Sequence, residues 1–118
     1  MKLVYIAGPF RPLKKGDQWE QTLNIRRAEE LALDVWRAGA VAICPHLNTC
    51  HFEGHLPGEV WLNGDLEILR RCDALLATSF WRNSDGASKE VAFAAKHSMP
   101  VFYEDNFWAL VRWLRGVS

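Results

Sequence analysis

Two acidic residues, Asp65 and Glu90, stand where helical spacing predicts apolar neighbours. Glu90 shares a stripe with Ala87, Val91 and Ala94 at spacings of three and four, so on a helix it faces a sheet rather than water. Asp65 falls on the stripe of Leu62, Leu66 and Leu69. A carboxylate so placed costs free energy unless it is paired, protonated or used. Brought to one cleft, such a pair suits glycosyl chemistry. One acid, ionised, attacks an anomeric carbon, while the other, kept protonated by burial and its partner's charge, serves the leaving group. A retaining double displacement wants them roughly 5–5.5 Å apart. The structural alternatives are an N-cap after Asn63-Gly64 for Asp65, and an ion pair with Arg82 or Lys89 for Glu90.

The run Ser84-Asp85-Gly86-Ala87-Ser88-Lys89-Glu90 follows a short apolar strand and opens an alanine-rich helix. Ser84 or Asp85 can cap that helix, Gly86 lets a ligand approach the backbone, and the first-turn N–H groups attract an anion. Ser84 therefore reads equally as an anion contact and as a plain N-cap. Arg11, with Lys14 and Lys15, could neutralise a phosphate or simply be solvated. Phe10 and Trp81 sit on strand-end loops, where an aromatic either stacks on a nucleobase or plugs the core edge. His46, Cys50, His51 and His55 raise a metal site, but their spacing forms no zinc knuckle, and no metal is expected. The plainer reading is a mobile loop over a cleft in which His46 meets the ligand. Asp73 reads as a turn residue.

These residues need a scaffold. Lys2 to Ile6 reads as a buried strand closed by Ala7-Gly8-Pro9, and Asp17 with Glu20 as a capping box for a helix that Gly39 stops. Strands follow at Val41 to Cys44, Ala74 to Ala77 and Val101 to Tyr103. Helices are expected over Glu59 to Arg71, Gly86 to Lys96 and Phe107 to Leu114, with an irregular polar stretch up to Gly58. Strand and helix alternate, which implies an α/β fold: a parallel sheet of four to five strands, flavodoxin-like, with helices on both faces and ligands beyond the strand C-termini. Trp108 and Trp113 lie off the last helix's apolar stripe, and so either widen its buried face or make a subunit contact.

At 118 residues the chain is expected to be one domain, residues 1–118. Its 14 basic and 14 acidic residues cancel and are interleaved, which argues against a nucleic-acid polymer or an anionic membrane as partner. Three cysteines make no secreted disulfide framework, no signal peptide is visible and no apolar run approaches the roughly 18 residues that span a bilayer, so a cytoplasmic protein is expected.

Three segments together resemble the nucleoside 2-deoxyribosyltransferase-like superfamily: Tyr5-Ile6-Ala7-Gly8-Pro9, Asp65-Leu66 with Asp73 eight residues on, and Trp81-x-x-Ser84-x-Gly86-Ala87-x-x-Glu90. The likeness runs from about residue 3 to 103 and is greatest to small bacterial and phage members of unassigned function. It implies a flavodoxin-like sheet, a homo-oligomer, no cofactor, and a small-molecule nucleoside or nucleotide as ligand. By the same resemblance Glu90 is the nucleophile at deoxyribose C1′, and Asp65 a general acid or sugar-orienting group. Tyr5 is then the tyrosine beside the nucleophile, Gly8 the glycine that admits sugar or phosphate, and Ser84 a 5′-phosphate contact. Two departures stand out: there is no counterpart of the C-terminal asparagine that a neighbouring subunit supplies in the transferases, nor of the hydrolases' second phosphate-binding serine. The expected function is thus an N-glycosidase or 2-deoxyribosyltransferase acting through a covalent glutamyl-sugar intermediate. The alternative is a nucleotide-sensing module that uses the same cleft without chemistry.

Overall fold

The first strand is an unbroken apolar run, as a strand covered on both faces requires. In the structure, a computed structural model that describes residues 1–52 and 54–116, this run forms β1 (Leu3–Ala7), buried from Val4 onward. It pairs with β2 (Val41–Ile43) on one side and β3 (Ala74–Ala77) on the other, and β4 (Val101–Tyr103) lies outside β3. All pairings are parallel, giving the order β2-β1-β3-β4, four strands among the described residues. Tyr5 lies opposite Leu75, and Ala7 opposite Ala77, so β1 and β3 end together on one rim.

Helices cover both faces. Val4, Ile6 and Leu76 pack beneath α1 (Gln18–Arg37) and α5 (Phe107–Leu114), whereas Tyr5, Ala7, Leu75 and Ala77 face α3 (Gly58–Arg70) and α4 (Asp85–Lys96). This two-residue alternation sends Tyr5 to the face where the acidic helices lie. Polar side chains fasten both ends of the sheet. At the N-terminal end Leu3 N–H donates to Asp73 Oδ2 and Asp73 N–H to the Leu3 carbonyl, both at 2.8 Å. At the rim Ser79 N–H donates to Glu104 Oε1 at 2.8 Å.

Local signals mark the helix ends. Asp17 Oδ1 accepts from Glu20 N–H at 3.0 Å, but Glu20 bonds Leu13 N–H rather than closing a capping box. Gly39, at φ +93°, ends α1 in the left-handed region that glycine tolerates.

Two expectations change. A one-turn helix, α2 (Pro45–Asn48), forms where irregular loop was expected; Pro45 opens it without needing an N–H, and four residues show no periodicity to read. Asp65 is not an N-cap, because α3 begins at Gly58 after Pro57 and runs straight through Gly64. On α5, Trp113 is half-buried against Phe102, while Trp108 is exposed with Arg115 over its ring. No helix among the described residues is long and apolar enough to cross a membrane.

Candidate active site

A cleft of about 590 Å³ opens beyond the ends of β1 and β3, between the loop after β1, α2, α3 and α4. Its floor is set by α4. Ser84 caps that helix, its Oγ accepting from Ala87 N–H at 3.1 Å, and Glu90 follows in the second turn with only 7 % of its surface exposed. Tyr5, fully buried on β1, donates its hydroxyl hydrogen to Glu90 Oε2. The partner of Glu90 is therefore the tyrosine, not Arg82 or Lys89. Asp65, half-buried on α3, lines the same cleft.

These three groups form one electrostatic unit. Burial pushes the Glu90 carboxyl up to about 8; the Tyr5 hydrogen bond opposes that rise and the Asp65 charge adds to it. Burial alone lifts Asp65 to about 6. Tyr5 is held far above the usual phenol range, by burial first and then by the charges of Glu90 and Asp65. Burial thus works against ionisation of both acids, and more strongly at Glu90 than at Asp65.

The loop after β1 forms another wall. The side chain of Asn24, buried on α1, donates to the carbonyls of Phe10 and Arg11 at 3.3 and 3.5 Å. Phe10 meets the His46 ring edge-on, centroids 5.5 Å apart. His46 is buried rather than carried on a mobile loop. Its Nε2–H donates to the Pro9 carbonyl at 2.8 Å, and burial holds its pKa below the ordinary histidine value. Arg11 reaches across to α3, where a Cβ on Gly58 would lie 2.9 Å from its guanidinium. A Cβ on Gly8 would lie 2.4 Å from Thr78 Oγ1, so the space that Gly8 frees is taken by the protein's own threonine.

The cleft thus brings together Glu90, Asp65, Gly8, Phe10, Arg11, His46, Ser84 and Gly86, with Tyr5 directly beneath Glu90. Trp81 is not part of this wall. It lies in a 3₁₀ turn, Trp81–Asn83, that packs it on the core and tilts it against Tyr103, 6.0 Å between centroids, with Arg82 over its ring. There it lines a separate cavity of about 210 Å³. Lys14 and Lys15 are exposed and outside the wall. Among the described residues no group of three or more His, Cys, Asp or Glu is placed to hold a metal ion.

Trp61 and Asn24 went unnoticed in the sequence. Trp61 was accessible to the same reasoning as Asp65, being four residues before it on one helical stripe. Asn24 carried no signal, because a buried asparagine in a helix is recognisable only by the carbonyls it meets.

No curated protein matches the chain. Among solved structures it is similar to a 2-deoxyribosyltransferase from Leishmania mexicana, 18 % identical with a TM-score of 0.59, over 87 % of this chain and 63 % of that one. It is also similar to the 2-deoxyribosyltransferase of Bacillus psychrosaccharolyticus, 19 % identical, TM-score 0.60, over 86 % and 70 % of the two chains. A conserved protein from Enterococcus faecalis V583 superposes with a TM-score of 0.68 at 17 % identity, over 95 % and 74 %. The chain spans less than two-thirds of the Leishmania protein. At these identities the likeness shows the fold, a flavodoxin-like α/β sheet shared with 2-deoxyribosyltransferases. The family model described as a domain of unknown function, DUF7768, matches residues 2–104, a span that contains every residue of the cleft, and the chain belongs to that family.

Proposed function

We propose that the protein cleaves the N-glycosidic bond of a nucleoside or its 5′-monophosphate, as an N-glycosidase or 2-deoxyribosyltransferase. The observation that carries this reading is a buried glutamate, hydrogen-bonded by a buried tyrosine, in a cleft that a second carboxylate also lines. The two neighbours named as 2-deoxyribosyltransferases add support at the level of fold.

In this reading ionised Glu90 attacks C1′ as the C1′–N bond breaks. The bond pair leaves with the base, which takes a proton from solvent water in the open cleft, and water or an acceptor base then displaces Glu90 from the sugar. Tyr5 stabilises the carboxylate form of Glu90. Asp65, the more acidic of the two, is ionised at neutral pH and accepts from a sugar hydroxyl, orienting C1′ toward Glu90. Ser84, Gly86 and Arg11 receive a 5′-phosphate where the ligand carries one. The exposed apolar residues Leu13, Phe52, Leu56 and Val60, beside the cleft in sequence or space, are covered in a homo-oligomer.

A second reading is a nucleotide sensor without chemistry: burial pushes the Glu90 carboxyl up to about 8, and in its neutral form it can act as a hydrogen-bond donor. Incubation with deoxynucleosides and their monophosphates at pH 7–9, followed by chromatography for free base, separates the two. Release of base by the native protein and its loss in a folded Glu90→Ala variant is the expected result. Ligand binding without base release at any pH would leave the sensor.

A further inference from the structure

The wall of the cleft formed by α3 carries an aromatic residue as well as an acid. Trp61 and Asp65 are four residues apart on the same helix, which sets them on one face about 6 Å apart along its axis. That step is comparable to the one from a sugar to the base joined to it. The indole is half-buried and braced by Phe52, ring centroids 5.9 Å apart at 44°, so it is a supported surface rather than a free side chain. The other aromatic candidates are engaged differently: the ring of Phe10 sits edge-on against His46, and Trp81 lies outside the cleft against Tyr103.

We infer that Trp61 is the platform on which the base of the ligand stacks, so that α3 grips base and sugar from consecutive turns. The inference rests on the nucleoside reading of the cleft and assigns the base end of it. Stacking accepts any base, because each presents a π-face, and Trp61 therefore sets affinity for base-bearing ligands rather than choice among bases.

The test uses the four 2′-deoxynucleoside 5′-monophosphates as base-bearing probes and 2-deoxyribose 5-phosphate as the probe without a base. Both are titrated by calorimetry into the native protein and into Glu90→Gln, in which the glycosidic bond survives. Trp61→Leu and Trp61→Phe are added to the Glu90→Gln background. We expect Trp61→Leu to weaken the tightest-binding monophosphate about ten-fold or more, to leave the sugar phosphate unchanged, and Trp61→Phe to restore most of the loss. Equal weakening of both probes would make Trp61 a structural support and overturn the inference, as would unchanged affinity for both. If the native protein and Glu90→Gln bind neither probe, the nucleoside reading itself falls.

Discussion

Tyr5 and Glu90 are the residues on which the proposed chemistry turns, and neither is interpretable without the other. A glutamate buried beside Asp65 holds its proton, and the tyrosine hydrogen bond is what draws it back toward ionisation. Replacing Tyr5 by Phe removes a bond to a charged group, an interaction worth roughly 1.5–3 kcal/mol. Glu90 in Tyr5→Phe should therefore titrate about one to two units higher, and the activity onset should move to higher pH by the same amount. A pH–rate profile of the variant checks this, and an unmoved midpoint would remove Tyr5 from the machinery. Both acids were legible as misfits on apolar stripes. The tyrosine pairing was not, because Tyr5 and Glu90 are 85 positions apart and only the sheet brings them together.

The elements explain why the small residues of the site are small. Gly8 ends β1 against Thr78, whose Oγ1 is buried without a hydrogen-bond partner among the described residues. Gly8→Ala drives a methyl group into that side chain and should cost about 1–3 kcal/mol of stability. Much of that cost should return in Gly8→Ala/Thr78→Ala, where the two nearest clashing atoms are gone, as urea titration of the single and double variants would show. If the losses simply add, the glycine serves some other purpose. At the start of α4, Ser84→Ala removes the cap on Ala87 N–H and should cost about 1 kcal/mol by the same measurement. The long helices were readable from their period. The single turn of α2 and the 3₁₀ turn at Trp81–Asn83 were too short to have one, and they are the elements that bury His46 and turn Trp81 away.

For the molecule as a whole, the buried acid makes stability depend on pH. The Glu90 pKa is raised on folding from an ordinary glutamate value to about 8, so the folded state binds its proton more tightly than the unfolded chain. Its contribution is complete below about pH 4.5 and is lost as pH rises toward 8; Asp65, raised to about 6, acts in the same direction over a lower window. His46, buried with a lowered pKa, has the opposite sign, withdrawing stability as pH falls below about 6.5. Between pH 6.5 and 8.5 Glu90 dominates, and the native protein should lose roughly 2 kcal/mol. Glu90→Gln should be nearly flat over the same range, and more stable than the native protein at pH 8.5. Urea unfolding at several pH values decides this: parallel curves for the two proteins would mean that Glu90 carries no buried charge.

Order along the chain determined the alternation of strand and helix, the parallel sheet and the two acids out of place, because hydrophobic period and capping chemistry act over a few residues and can be read locally. Which groups meet was decided by the tertiary structure alone. The register of β1 on β3 set Tyr5 beneath Glu90, the straight run of α3 through Gly64 placed Trp61 in line with Asp65, and the turn after β3 moved Trp81 out of the cleft. Such contacts depend on distances between segments far apart in the chain, and no local pattern encodes those distances.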